Sequence, residues 1–157
     1  MLEAIIRRVP FFAALPPRHM RWLSETLQPL DILANHVLFS EGERGDAFYI
    51  VIQGELEVSR RLAGGGVEVI GHSGPGDYVG ELALIHPELT RTVTVRAVED
   101  SELLIVTRAN FDALLHRHPA MGYELARVLT ERLAERNRAL QAALDALRTG
   151  PSQPSDE

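Results

Sequence analysis

The spacing of apolar positions changes twice along the chain. In LEAIIRR and RHMRWLSETL, separated by the break VPFFAALPP, apolar residues recur every three or four positions, the signature of one helix face. Two N-terminal helices are predicted, the second closed by Pro29, with Trp22, Leu23 and Leu27 on its buried side. From Leu38 the pattern shortens to apolar runs punctuated by glycine: VLFSEGERGDAFYIVIQGELEVSRRL, then GGGVEVIGHSGPGDYVG, then RTVTVRAVEDSELLIVT. Valine, isoleucine and tyrosine between turn residues read as short strands. Roughly seven or eight of them are expected between about residue 30 and residue 107, which suits a closed or jelly-roll barrel rather than an open sheet. Gly64, Gly65 and Gly66 are placed at a hairpin tip, where positive φ costs glycine little.

After Thr107 the helical period returns. RANFDALLHRHP predicts a short helix ended before Pro119, and AMGYELARVLTERLAERNRALQAALDALR a long one. Along the latter, Ala126, Leu129, Leu133, Leu140, Ala143 and Leu147 follow a heptad-like stripe if Arg136 takes one seam position, which predicts a homodimer through this helix. The alternative is that its first half packs on the barrel and its second half goes unpaired. TGPSQPSDE is polar and rich in proline and serine, the composition of a disordered tail. The fold class is therefore α+β, mainly β: a double-stranded β-helix or jelly-roll barrel with N-terminal helices and a long C-terminal helix. One domain is expected over residues 1–148, with the barrel at about 30–107, C-terminal helices at 108–148 and a disordered tail at 149–157.

Composition narrows the function classes. With 157 residues, 45% of them hydrophobic, the chain suits one compact core. It has no cysteine, which removes disulfides, thiol catalysis and the commonest structural zinc sites. The net charge of -6 argues against direct nucleic-acid binding. No apolar run approaches the ~20 residues that span a bilayer, and MLEAIIRRVPFFAAL does not resemble a signal peptide, so a cytoplasmic protein with no membrane partner is expected. His36, His72 and His86 near the strands raise a cupin-like metal enzyme as an alternative, but they are scattered near turns rather than closely spaced with a carboxylate. His116 and His118 fall at a helix end, where a cation suits the helix dipole. With neither a Ser-His-Asp arrangement nor paired carboxylates, no catalytic residue and no metal ligand is assigned, and the chain is not read as an enzyme.

The stretch GPGDYVGELALIHPELTRTV carries the most specific chemistry. Its glycines let the backbone approach a ligand, and the amides of Leu82 and Ala83 open a short apolar turn where they can face an anion. Arg91 offers a permanently charged planar fork suited to phosphate. Glu81 beside a phosphate is repulsive unless it accepts from a hydroxyl and a cation balances the site. Together the two residues fit a small phosphorylated sugar.

On Gly80, Glu81 and Arg91 within GDYVGELALIHPELTRTVTVRA, the chain resembles a cyclic nucleotide-binding domain. VLFSEGERGDAFYIVIQGELEV, with Gly42, Gly45, Asp46 and Gly54 at its turns, and VPFFAAL extend the resemblance over roughly residues 5–135. It implies that Glu81 accepts the ribose 2′-hydroxyl, that Arg91 pairs with the cyclic phosphate, and that the Leu82 and Ala83 amides add hydrogen bonds. It also places Thr92 beside the phosphate, Val69 on the wall against the base, and Arg136 and Asn137 where the C-terminal helix reaches the base. Tyr78 and Val79 depart from the family by standing where two aromatics are common. The resemblance implies a sensor of cAMP, placed ahead of cGMP, with no other cofactor, relaying through the C-terminal helix to an effector that the sequence does not identify. A ligand-free dimerisation module with a retained fold is the alternative.

Overall fold

In the computed structural model, residues 2–85 and 88–149 are described. His86 and nearly all of the expected tail fall outside them. Helices α1 (Leu2–Ile6) and α2 (Pro17–Thr26) precede eight strands, β1 (Gln28–Ile32), β2 (Val37–Phe39), β3 (Ala47–Gln53), β4 (Leu56–Arg61), β5 (Val67–Ser73), β6 (Tyr78–Val79), β7 (Thr94–Ala97) and β8 (Ser101–Thr107). The short helix α3 (Leu82–Ile85) separates β6 from β7, and α4 (Arg108–Arg117) and α5 (Ala120–Arg148) follow β8. The strands form two four-stranded antiparallel sheets, β1-β8-β3-β6 and β2-β7-β4-β5. This is the jelly roll flanked by helices that the change of period predicts.

Alternation along the strands divides the apolar side chains between two cores. In β3, Val51 joins Ile32, Phe39, Leu56, Val79, Val95, Ala97 and Leu103 between the sheets. Phe48 and Ile50, pointing the other way, join Leu104 and Val106 of β8 beneath the helices, where Phe12, Met20, Leu23, Leu114 and Met121 pack on them. One sheet is thus buried on both faces. The outer side of β5, by contrast, is open, with Val67 and Val69 exposed.

Local chemistry fixes several boundaries. Thr107 caps α4 through a reciprocal box with Asn110. Pro29 does not terminate α2 from outside: the helix ends at Thr26, and Pro29 lies within β1, opposite Leu104. An edge strand tolerates the missing N–H, so the proline marks a sheet edge. Leu23 and Leu27 are buried as expected, while Trp22 is half-buried and carries the Arg117 guanidinium over its ring at 4.8 Å. At the β4–β5 turn, Gly65 and Gly66 take positive φ, but Gly64 does not.

Helix α5 packs on the barrel through Met121, Leu125 and Val128, with Leu129 half-buried. Beyond that point its leucines stand in solvent: Leu133 is 59% exposed, Leu140 60% and Leu147 81%. Of the predicted stripe only Leu129 is half-buried, while Ala126, Leu133, Leu140, Ala143 and Leu147 are exposed; the docked face is Met121, Leu125 and Val128 instead.

Candidate functional site

Residues 78–83 and 90–93 border a cavity of about 210 Å³ beside the inter-sheet core. Its lining contains seven residues singled out from sequence: Gly80, Glu81, Leu82, Ala83, Arg91, Thr92 and Arg136. Strand β6 delivers the chain to Gly80, whose φ of +87° turns it into α3. After the loop, Arg91 is anchored by its backbone, its N–H donating to Glu43 O and its carbonyl accepting from Gly42 N–H.

The Arg91 side chain runs inward and is only 7% exposed. Nη1 donates to Gly80 O at 3.0 Å and Nη2 to Ala47 O at 2.8 Å. The guanidinium lies over the Phe39 ring at 4.1 Å, and Phe39 stacks in turn on Tyr49. Two close approaches make room for it. A Cβ on Gly80 would lie 2.6 Å from Nη1, and one on Gly45 would overlap the guanidinium itself. Gly45, read from sequence as a turn residue, and Gly80, read as letting the backbone approach a ligand, thus share the task of admitting this arginine.

Electrostatically, Arg91 is incomplete. Nε is buried without a hydrogen-bond partner, and among the described residues the side chain makes no ion pair. Burial lowers its pKa, an effect that Tyr49, Asp46, Glu43 and Glu81 only partly oppose. Withdrawing an unpaired cation from water costs several kcal/mol, which an anion at the cavity floor would offset. The geometry therefore suits a compact anion.

Glu81 and Arg91 do not pair. The Glu81 carboxylate is held instead by Arg132 of α5, through Nη1 to Oε1. Arg132 Nη2 also donates to the Tyr78 hydroxyl at 2.6 Å, and its guanidinium lies 4.9 Å from the Tyr78 ring centroid. Burial, ahead of every other influence, raises the Tyr78 pKa and keeps the phenol protonated. A residue absent from the sequence reading thus occupies the proposed ribose acceptor. The signal was available: Arg132 lies one helical turn before Arg136 and shares its face of α5.

Three expectations shift. Val69 does not line the cavity; Ile70 does, together with Val58. The reason is a bulge, since Val58 pairs with Gly71 and Ser59 with Val69, leaving Ile70 as the extra residue and reversing the facing expected from simple alternation. Asn137 is also absent from the lining, because a residue adjacent to Arg136 on a helix points about 100° away. Of the two amides, that of Ala83 is engaged with Gly80 O in a long bond of 3.3 Å. Ser73 and Thr90 line the cavity as well, without having been singled out. Among the described residues no group of three His, Cys, Asp or Glu side chains could hold a metal, and no helix is long and apolar enough to cross a membrane.

A jelly roll with a buried arginine, a glycine-glutamate turn and a C-terminal helix over one cavity defines a ligand-sensing class, and the chain belongs to the cyclic nucleotide-binding domain family, whose model matches residues 29–118. It is similar to the CRP-like cAMP-activated global transcriptional regulator of Mycobacterium tuberculosis, with 30% identity over 139 residues, covering 88% of this chain and 62% of that protein. It therefore spans less than two thirds of that regulator's length. Among solved structures, the catabolite activator protein of Thermus thermophilus superposes with a TM-score of 0.78 at 29% identity, covering 91% of this chain and 73% of that one. The regulatory domain of Toxoplasma gondii PKA, crystallised with cAMP, gives a TM-score of 0.67 at 34% identity over 72% of this chain and 42% of that one.

Proposed function

We propose that this chain is a cytoplasmic, non-catalytic sensor of a purine 3′,5′-cyclic nucleotide. Arg91 takes the cyclic phosphate, the Leu82 amide adds a donor, and Glu81 accepts the ribose 2′-hydroxyl once Arg132 gives way. The observation that carries the reading is the buried Arg91 guanidinium, unneutralised and with Nε unpartnered at the floor of the cavity. The cAMP named in the M. tuberculosis regulator and bound in the T. gondii domain supports the ligand class. Its output runs through α5. Arg132 holds Glu81 and Arg136 lines the cavity, and the exposed leucines beyond Arg132 on the same helix suit a homodimer or a coupled effector. Ligand binding shifts the helix only by as much as its affinities for the two states differ.

Calorimetric titration with cAMP and with cGMP, beside Arg91→Ala, tests the proposal. Saturation near one ligand per chain is expected, weakened in the variant by about 2–5 kcal/mol for the loss of a buried charged contact. Absence of heat with either nucleotide, on protein shown free of co-purified ligand, would sink it.

A further inference from the structure

The cavity also carries information about the base. Apart from the 78–93 segment, its lining consists of Phe39, which stacks on Arg91, together with Val58, Ile70, Ser73 and Arg136. With Phe39 committed to the arginine, the last four remain to meet a base. Val58 and Ile70 offer an apolar wall, and Ser73 a single hydroxyl. Arg136 is the one residue of α5 lining the cavity among the described residues, and its side chain makes no hydrogen bond or ion pair to any of them. The nearest carboxylate in the lining, Glu81, is engaged by Arg132 and in the proposed complex by the ribose.

Resting on the cyclic-nucleotide reading above, we infer that Arg136 makes this site select guanine over adenine. Arginine has five N–H donors in a planar fork and no acceptor. The edge of guanine beyond the sugar presents two acceptors, N7 and O6, at the spacing of that fork; adenine presents N7 beside the N6 amino donor. At the adenine edge one N–H of the guanidinium faces another donor. The other polar group in this part of the lining, the Ser73 hydroxyl, can accept from adenine N6 or donate to guanine O6 and so does not discriminate, which leaves the choice to Arg136. A good bidentate pair of this kind discriminates by about 5- to 150-fold. Arg136 is exposed, and water competes for its fork, so the expected preference is toward the low end, about 10-fold.

Titration of cGMP, cAMP and inosine 3′,5′-cyclic monophosphate against the unaltered protein and Arg136→Ala tests this directly. The inosine nucleotide keeps N7 and O6 but lacks the guanine 2-amino group. The inference expects the guanine and inosine nucleotides to bind alike, each about 10-fold more tightly than cAMP. Arg136→Ala should bring the three affinities together, the guanine and inosine nucleotides losing their advantage over cAMP. Tighter or equal binding of cAMP to the unaltered protein overturns it. Uniform weakening of all three by Arg136→Ala overturns it too, reducing Arg136 to a nonselective cation. An inosine nucleotide that behaves like cAMP transfers the selection to the 2-amino group, with Thr92 as the hydroxyl to test, and so removes it from Arg136. Binding of none of the three, or binding indifferent to Arg91→Ala, defeats the sensor reading itself and this inference with it; equal binding of all three defeats only the inference.

Discussion

Gly45 tests the arginine anchor without touching a ligand group. Its backbone φ is not in the left-handed region, so alanine is sterically acceptable to the backbone, yet the new Cβ would overlap the Arg91 guanidinium. The far end of a flexible side chain gives way before the barrel does. Arg91 would then lose its bonds to Gly80 O and Ala47 O and its place over Phe39. Hydrogen bonds to a charged group contribute roughly 1.5–3 kcal/mol each. Against that, the withdrawn cation recovers a hydration cost of several kcal/mol. Replacing glycine by alanine also stabilises by about 0.4–1 kcal/mol through the unfolded chain. The opposing effects nearly cancel, so stability should change by no more than about 1 kcal/mol and Tm by no more than about 2–4 °C. Ligand binding has no such compensation and should weaken by about 2–5 kcal/mol. Calorimetric titration beside thermal unfolding separates the two. Wild-type affinity in Gly45→Ala would refute the claim that the buried position of Arg91 is what binds phosphate.

Three further outcomes follow from particular contacts. Arg132→Gln should free Glu81 and tighten ligand binding by up to about 5-fold, since a partly exposed pair contributes only about 0.2–1 kcal/mol; a loss of 10-fold or more would make Arg132 a ligand contact instead. His19 is buried, with Nδ1 unpartnered and His118 edge-on at 5.6 Å, and its pKa is lowered by burial first and then by Arg18, His118 and Arg117. The unfolded chain therefore takes up this proton first: its contribution is intact above the ordinary histidine pKa and is lost as pH falls from there toward the folded value, at up to about 1.4 kcal/mol per pH unit. His19→Leu should flatten that part of the stability profile, and an unchanged slope in denaturant unfolding would contradict the assignment. If α5 pairs through its exposed half, Leu133→Asp with Leu140→Asp should convert a dimer to a monomer in sedimentation; identical masses before and after would remove α5 as the interface.

Most of the architecture was legible because period and punctuation agree: alternating strands between glycines, then a helical period resuming at the Thr107 cap. Glu81 and Arg91 could be singled out as candidates because the glycine framework around them narrows what a carboxylate and a guanidinium so spaced can do, and the structure places both on the cavity. What escaped depends on three-dimensional register. The bulge at Ile70 reverses the facing of β5 without leaving a mark in the alternation. Arg132 looks like any solvated helix residue until α5 is docked over Tyr78. His19 reads as a polar position in an amphipathic helix, and only the packing of α2 against the α4–α5 joint encloses it. Pro29 misled for the opposite reason: it is a strong local signal for a helix stop that an edge strand can also use.

The central claim, that Arg91 and Glu81 together recognise a cyclic phosphate and its ribose, is tested most directly by a crystal structure of the protein with a purine 3′,5′-cyclic nucleotide. The account predicts phosphate oxygens within hydrogen-bonding distance of Arg91, the 2′-hydroxyl donating to Glu81, and Arg132 displaced from that carboxylate. A nucleotide bound away from Arg91, or seated in the cavity with the Arg132–Glu81 pair intact, would contradict it.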